Sequence, residues 1–324
     1  MRLALWFLLS LAISGCGRSP DINNPRCNPD FMNSEITGVL SDDNGIYYVT
    51  DHRLTFLAHH NLDDNPETLI QFNRSAYPKI RLSNDLFSLR DGEFIAATGE
   101  YFKSGKLVAD LTSGDEELFF SHGNKRSLLI VRKSNEIEAT KDGVAYTKVA
   151  EVVDDPVYGK PYYTSLLYSE EEALYVYEYV SEMGFGLKKW TGTDFQLLHL
   201  NESSYGKLFE YKDKIVVVNI HGFWIMDKAS QNLVYEYDSS SYIYDAALVG
   251  NQLITSTSDD NNALNLDTFE TTTLNLGMEG RILTSFYSDG DIDYLGTQTG
   301  LWKRHGVELT QLVDSSDKVA CVKM

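Results

Sequence analysis

Apolar residues alternate with turn residues in the segment 292–304, and this pattern is the clearest in the chain. Tyr294–Thr297 is predicted as a buried strand and Leu301–Arg304 as the strand that returns beside it. Gln298–Gly300 lies between them, and a glycine there tolerates the positive φ that tight turns require. The segment is therefore predicted to form a β-hairpin.

Similar apolar runs recur along the chain at a nearly constant spacing. We interpret each run as the second strand of a structural repeat, and their starts are separated by 40, 42, 46, 41, 38 and 41 residues. The runs begin at Ile46, Leu86, Leu128, Leu174, Ile215, Leu253 and Tyr294. A repeat of ~40–45 residues that holds four strands is typical of a propeller blade. We predict an all-β fold, a single β-propeller of seven four-stranded blades over residues 35–324, with six or eight blades as alternatives.

The strands of one blade are predicted most clearly. They are Lys207–Tyr211, Ile215–Asn219, Phe223–Met226 and Leu233–Tyr237. The second blade is ambiguous, because the run that begins at Phe94 could replace Leu86–Leu89 as its second strand. That choice would change two intervals to 48 and 34 residues, so the more regular spacing favours Leu86–Leu89.

The first fifteen residues are predicted to be a leader rather than part of the fold. Arg2 is followed by the apolar run Leu3–Ile13, which is far shorter than the ~20 residues of a membrane-spanning helix. The run ends in Ile13-Ser14-Gly15-Cys16, which resembles the lipobox of bacterial lipoproteins. The alternative is an ordinary secretory signal that happens to contain a cysteine.

The lipobox resemblance implies how the mature protein begins. Residues 1–15 would be a cleaved signal peptide, Cys16 would carry diacylglyceryl and palmitate-type acyl chains, and residues 16–34 would form a lipidated tether leading into the propeller. Several acyl chains together give stable membrane anchoring. Gly17 follows the cysteine, and this resembles the pattern of lipoproteins sent to the outer membrane. We therefore expect a location in the bacterial cell envelope, anchored by lipid to the outer membrane and facing the periplasm or the exterior.

The other two cysteines lie near the two ends of the mature chain. In an exported protein, disulfides can form. If the propeller closes with its ends together, a Cys27–Cys321 disulfide would hold the ring shut. The alternative is a pair of free thiols.

The formal net charge of −19 limits the classes of partner. Nucleic-acid binding depends on neutralising phosphates with lysine and arginine, so we expect no nucleic-acid partner. The acidic surface has two interpretations: general solubility, or a face for a cation or a basic partner. We expect the protein to be monomeric, to contact the membrane through the Cys16 lipid, and to bind an envelope protein or an extracellular or periplasmic ligand.

The sequence contains no nucleophile elbow, phosphate-binding glycine loop or paired-cysteine zinc motif. His59 and His60 are adjacent, and neighbouring residues of a strand point to opposite faces, so both cannot bind one metal from a regular strand. We therefore predict no catalytic residues, no metal site and no cofactor.

The segment 154–163 is predicted to be an inserted loop, and it falls in the longest repeat interval. It places Tyr158, Tyr162 and Tyr163 beside acidic residues. Exposed aromatic side chains of this kind could contact a peptide or a glycan, so these three tyrosines are the candidate binding loop. The alternative is that they pack within the fold.

The blade sequence also resembles a known group of proteins. The segment Leu295-Gly296-Thr297-Gln298-Thr299-Gly300-Leu301-Trp302 is similar to the blade motif of bacterial propellers of the regulator-propeller and quinoprotein-like superfamily. His221-Gly222-Phe223-Trp224 is a partial copy of it. The resemblance implies architecture, since one fold hosts many functions.

Two functional hypotheses follow. The first is a lipid-anchored, non-enzymatic propeller that binds a protein or ligand at the cell envelope. The second is an envelope glycan-processing enzyme, a lyase or hydrolase with carboxylates at the central funnel of the propeller. Carboxylates with raised pKa at one mouth would favour the enzyme, whereas an exposed aromatic or apolar patch would favour the binding protein.

Overall fold

The computed structural model of the protein is described for residues 36–50, 53–59, 66–71, 86–90, 93–96, 100–103, 106–110, 117–121, 127–132, 135–140, 145–152, 161–180, 184–201, 206–257, 259–274, 283–288, 291–297 and 300–314. These residues form 28 strands in seven sheets of four. In every sheet the four strands are consecutive in the chain and antiparallel. The structure confirms the predicted β-propeller with seven four-stranded blades.

The first three blades hold twelve strands. Blade I contains β1 (Ile36–Ser41), β2 (Gly45–Thr50), β3 (Arg53–Ala58) and β4 (Glu67–Gln71). Blade II contains β5 (Leu86–Arg90), β6 (Glu93–Ala96), β7 (Glu100–Lys103) and β8 (Lys106–Asp110). Blade III contains β9 (Glu117–Ser121), β10 (Ser127–Val131), β11 (Glu136–Thr140) and β12 (Thr147–Glu151).

The remaining four blades hold sixteen strands. Blade IV contains β13 (Tyr163–Tyr168), β14 (Leu174–Tyr179), β15 (Phe185–Trp190) and β16 (Phe195–Asn201). Blade V contains β17 (Gly206–Tyr211), β18 (Lys214–Asn219), β19 (Gly222–Asp227) and β20 (Leu233–Asp238). Blade VI contains β21 (Ile243–Val249), β22 (Gln252–Thr257), β23 (Asn261–Asn265) and β24 (Thr271–Thr273). Blade VII contains β25 (Leu283–Ser288), β26 (Ile292–Thr297), β27 (Gly300–His305) and β28 (Glu308–Asp314).

The prediction for blade II was wrong in one respect. Leu86 begins β5, the first strand of the blade, and Phe94 lies in β6, the second strand. Regular spacing was a poor guide to the second strand of blade II because the connections between blades differ in length. Fourteen residues separate Gln71 from Leu86, whereas six separate Asp110 from Glu117.

Apolar side chains from neighbouring blades form the core. Clusters of buried residues fill six seams between adjacent blades in the described part of the chain. In β18, Ile215 and Val217 pack toward blade IV, while Val216 and Val218 pack toward blade VI. Because alternate residues of a strand face opposite sides, a blade buried on both sides has a continuous apolar run, as the sequence of β18 shows.

The ring closes between the first and last blades. Ile36 at the start of β1 accepts hydrogen bonds through its carbonyl oxygen from the hydroxyls of Thr284 and Ser285 in β25, at 2.7 and 2.9 Å. Ile36 and Val39 also share a buried cluster with Tyr294 and Leu301. First strands of neighbouring blades thus meet side by side and run in the same direction. We call the end where first strands begin the upper face, and the opposite end the lower face.

Candidate functional site

Exposed aromatic side chains are concentrated at the upper face. Among the phenylalanine, tyrosine and tryptophan side chains of the described residues, four are exposed: Tyr162 (51%), Tyr179 (46%), Tyr237 (39%) and Tyr242 (58%). Tyr162 and Tyr242 immediately precede the first strands of blades IV and VI, and Tyr179 and Tyr237 lie at the upper ends of β14 and β20. The four tyrosines therefore belong to one face, above blades IV to VI.

Strand periodicity explains the position of Tyr179. Alternate residues of β14 point toward blade V, and the tyrosines at 175, 177 and 179 form a row on that side. Tyr175 and Tyr177 are buried against blade V, and burial raises the pKa of the Tyr177 hydroxyl well above its usual value. Tyr179 is the last residue of the strand, so its ring extends beyond the packed seam into solvent.

Tyr179 is held in place by its neighbours. Its backbone N–H donates to the carbonyl oxygen of Tyr162 at 3.1 Å, which joins the two exposed tyrosines through the backbone. Its ring meets the ring of Phe185 edge to face, with centroids 5.4 Å apart, and Phe185 in turn stacks on Tyr177 at 5.8 Å. The exposed ring is therefore anchored to the buried row, which lowers the entropy it would lose on binding a partner.

Tyr242 is supported in a similar way above the seam between blades V and VI. Its ring lies 5.3 Å from the ring of His221, which is exposed in the turn between β18 and β19. The backbone of the next residue, Ile243, donates to the carbonyl oxygen of Ile220 at 2.9 Å. This bond ties the start of β21 to the turn that carries His221, so the backbone segments that carry the two rings are held together.

The predicted binding loop is only partly described. Tyr158 lies outside the described residues. Tyr162 is exposed at the upper face, as the binding hypothesis requires. Tyr163 instead belongs to the core: it is 5% exposed, begins β13, and packs at right angles to Phe119 with centroids 6.4 Å apart. Its side chain is therefore placed for packing rather than for contact with a ligand.

The cysteines on which the anchoring and disulfide predictions depend, Cys16, Cys27 and Cys321, also lie outside the described residues. Within the described ranges, no helix has the length and apolar character needed to cross a membrane.

Sequence reasoning missed Tyr179 and Tyr242. A signal for Tyr179 existed, because tyrosines at every second position of a predicted strand lie on one side and the last of them is the most exposed. Tyr242 had no such signal, since its exposure depends on how two blades meet.

A buried ionic cluster links blades IV and V at the lower face. Lys228 donates from Nζ to Glu210 at 2.9 Å and to Glu171 at 2.8 Å. The backbone N–H of Glu170 donates to both carboxylate oxygens of Glu210, at 3.2 and 3.0 Å. Burial opposes the charge of Lys228, but its hydrogen bonds to Glu171 and Glu210 outweigh that effect and raise its pKa. With both charges hydrogen-bonded, this cluster is a structural link between blades.

Shifted carboxyl groups in the described residues do not match the enzyme hypothesis. The pKa values of Asp213, Asp227 and Asp267 are lowered, in each case chiefly because hydrogen bonds favour the charged carboxylate. A general acid needs a raised pKa instead. All three groups lie at the lower face, beside lysine or serine residues in turns.

His59, the first of the two adjacent histidines, is hydrogen-bonded within blade I. Nε2 of His59 lies 2.8 Å from the carbonyl oxygen of Asp42 and 3.2 Å from the hydroxyl of Ser41, and His60 lies outside the described residues. In the described part of the chain, no group of three or more histidine, cysteine, aspartate or glutamate residues is arranged to hold a metal ion.

Comparison with known proteins shows similarity at the level of fold. No family model matches the chain, and no curated protein matches it. The WD40 domain of Neurospora crassa Pan2 is similar with a TM-score of 0.55 at 11% identity, covering 88% of this chain and 93% of that one.

Two bacterial structures are similar over a part of their length. One is the extracellular domain of BT4673 from B. thetaiotaomicron, described as a candidate hybrid two-component system, with a TM-score of 0.55 and 14% identity over 83% of this chain. The other is PorZ, a surface component of the type-IX secretion system of Porphyromonas gingivalis, with a TM-score of 0.52 and 13% identity over 86% of this chain. This chain covers 38% of each of those proteins. At such identities the likeness concerns the fold alone: the chain is a seven-bladed β-propeller.

Proposed function

We propose that this protein is a lipid-anchored β-propeller of the bacterial cell envelope that acts as a non-enzymatic scaffold and binds a protein partner through its upper face. The observation that carries the proposal is the group of exposed, anchored tyrosines above blades IV to VI, Tyr162, Tyr179 and Tyr242. Tyrosine is enriched among the residues that dominate binding energy at protein interfaces, because its rigid ring buries a large area at little entropic cost.

The proposed anchor is Cys16, after cleavage of a signal peptide at residues 1–15 and with residues 16–34 as the tether of a propeller at residues 35–324. The lipobox-like sequence supports this arrangement. An envelope location is also in keeping with two structural neighbours, an extracellular domain and a bacterial surface component. A Cys27–Cys321 disulfide that closes the chain ends remains part of the proposal, as does a monomeric state.

Chain geometry leaves the upper face accessible in such an anchored protein. The propeller begins at Ile36, at the upper end of blade I, so the tether joins the molecule on the side that carries the tyrosines. Residues 17–35 can extend to about 65 Å at the chain's maximal rise per residue. Such a length lets the upper face stand clear of the lipid surface and meet a protein.

Site-specific photocrosslinking in intact cells tests this function. A photoreactive amino acid would replace Tyr242, and in a matched control it would replace Val307, which is fully exposed in the lower-face turn between β27 and β28. The proposal expects a discrete protein adduct from position 242 and none from position 307. It also expects that adduct to be lost when Cys16→Ser removes the anchor. Identical adducts from both positions, or none from either, would contradict the proposed binding face.

A further inference from the structure

Carboxylates lie at the upper face of blades V and VI, near the tyrosines. Glu236 and Asp238 are exposed at the upper end of β20, and Asp259 and Asp260 are exposed in the turn between β22 and β23. The Ser241 hydroxyl donates to Asp259, and the backbone N–H of Asp260 donates to Thr257 Oγ1 at 3.1 Å. The turn that carries the last two carboxylates is thus held in a defined shape.

The lysine side chains of these two blades are either buried or located at the lower face. Between Gly206 and Leu274 the sequence contains no arginine and four lysines. Lys207 is buried in the seam, where its Nζ donates to the carbonyl oxygen of Ala246 at 2.9 Å. The other three, Lys212, Lys214 and Lys228, lie at the lower face and form ion pairs there. Among the described residues of blades V and VI, the upper face therefore exposes four carboxylates and no lysine or arginine side chain.

We infer that the upper face binds a polypeptide segment rich in lysine or arginine. This inference rests on the proposed scaffold function and specifies the chemistry of its partner. Complementary charge steers association and excludes acidic competitors. The exposed faces of the tyrosine rings suit the same partner, since an ammonium or guanidinium group is attracted to the face of an aromatic ring.

Tyrosine rings and carboxylates lie close together at this face and can contact the same partner. Tyr242 follows Asp238 by four residues in the connection from blade V to blade VI, and its neighbour Ser241 donates to Asp259 in the β22–β23 turn. A chain crossing this seam would therefore meet an aromatic ring close to carboxylates of both blades. Tyr162 and Tyr179, in blade IV on the other side of blade V, would extend the contact to a third blade.

Binding of two synthetic peptides tests the inference. In one peptide lysine alternates with glycine, and in the other glutamate replaces every lysine. The full-length protein should bind the lysine peptide and not the glutamate peptide. The variant Asp238→Asn/Asp259→Asn/Asp260→Asn should bind the lysine peptide roughly tenfold more weakly, and that peptide's affinity for the wild-type protein should fall as salt rises.

A control variant accounts for the overall negative charge. Glu67→Gln/Glu270→Gln/Glu308→Gln removes the same number of charges from exposed positions at the lower face, and it should bind the lysine peptide within about twofold of wild type. Equal weakening by both triple variants, equal binding of both peptides, or binding of neither would overturn the inference.

The photocrosslinking experiment distinguishes failure of the basic-partner inference from failure of the proposed scaffold function. If position 242 yields its adduct while the upper-face acid variant binds that captured partner as wild type does, the scaffold stands and the basic partner does not. If the lysine peptide binds at the upper face but position 242 yields no adduct, the recognition chemistry stands and the envelope scaffold does not.

Discussion

Tyr162 and Tyr163 are adjacent in the chain and have opposite environments. The Tyr162 side chain is 51% exposed at the upper face, while the Tyr163 side chain is 5% exposed and lies against Phe119 in the seam between blades III and IV. The boundary between them is the first residue of β13, where the chain enters the packed blade. One tyrosine is thus available to a partner, and the other stabilises the fold.

Serine substitutions should separate these two roles. Tyr163→Ser is expected to destabilise the protein by about 3–5 kcal/mol, because it removes a large side chain from a packed core. Tyr162→Ser should change the free energy of unfolding by less than about 0.5 kcal/mol. Urea unfolding measures both, with Tyr179→Ser as a second exposed substitution. A cost for Tyr162→Ser comparable to that of Tyr163→Ser would show that Tyr162 serves the fold.

The lower-face ionic cluster should be important for stability. Lys228→Met leaves the buried carboxylate of Glu210 without its ammonium partner, and breaking a buried pair in this way costs about 3–5 kcal/mol. Glu171→Gln removes the exposed partner of the same lysine and should cost at most about 1 kcal/mol. Denaturant unfolding of both variants makes the comparison, and equal costs would contradict the assignment of Glu210 as the essential partner.

Two glycines at matching positions explain why the blade motif recurs. Gly300 begins β27 and Gly222 begins β19, each opposite the last residue of the second strand. A Cβ atom at Gly300 would lie 2.0 Å from the carbonyl oxygen of Val313, and one at Gly222 would lie 2.1 Å from that of Tyr237. The glycines therefore let the fourth strand approach, and Gly300 also has a φ of +151°.

Alanine substitutions test this account. Gly300→Ala should destabilise the protein by about 3 kcal/mol or more, since a backbone carbonyl must move. Gly306→Ala should cost about 1–2 kcal/mol, because Gly306 has a φ of +58° but open space around it. Gly222→Ala isolates the clash without the positive φ. If Gly300→Ala and Gly306→Ala cost the same, the close approach of the fourth strand is not what requires the glycine.

Asp267 should make the seam between blades V and VI sensitive to acid. Hydrogen bonds from Lys212 Nζ at 2.7 Å and the Tyr211 hydroxyl at 2.9 Å lower the pKa of its carboxyl group below the usual 3.8. A lowered pKa in the folded state contributes stability above pH 3.8 that is lost as the pH falls through the lowered value. The stability gap between wild type and Asp267→Asn should therefore shrink as the pH is lowered below 3.8. Urea unfolding at a series of pH values measures this gap, and a constant gap would contradict the role of the charged carboxylate.

The fold was largely predictable because the packing of a blade determines the apolar pattern of its strands. A strand packed on both sides is apolar throughout, and β18 was recognised from that property, whereas β26 was recognised from its place in a hairpin. Blade II was misassigned because its second strand, β6, is short and the connection from blade I to blade II is long. Neither feature follows from the spacing of the other blades.

The site was less predictable, because it depends on which strand ends meet in space. Tyr162 could be proposed from its loop-like surroundings, but the same reasoning included Tyr163, which the strand boundary places in the core. The carboxylates at 238, 259 and 260 belong to no sequence motif that sets them apart. Their shared face, and the position of Lys212, Lys214 and Lys228 on the opposite face, become visible only once blades V and VI are placed side by side.

The affinity of the partner captured at position 242 for upper-face variants is the most direct test of the central claim. Tyr162→Ser/Tyr179→Ser/Tyr242→Ser should weaken binding by about a hundredfold or more, as expected when several aromatic anchors are removed from one interface. The control Val307→Ser, at the lower face, should leave the affinity unchanged within about twofold. Unchanged binding by the folded triple variant would contradict the claim that the upper-face tyrosines form the docking surface.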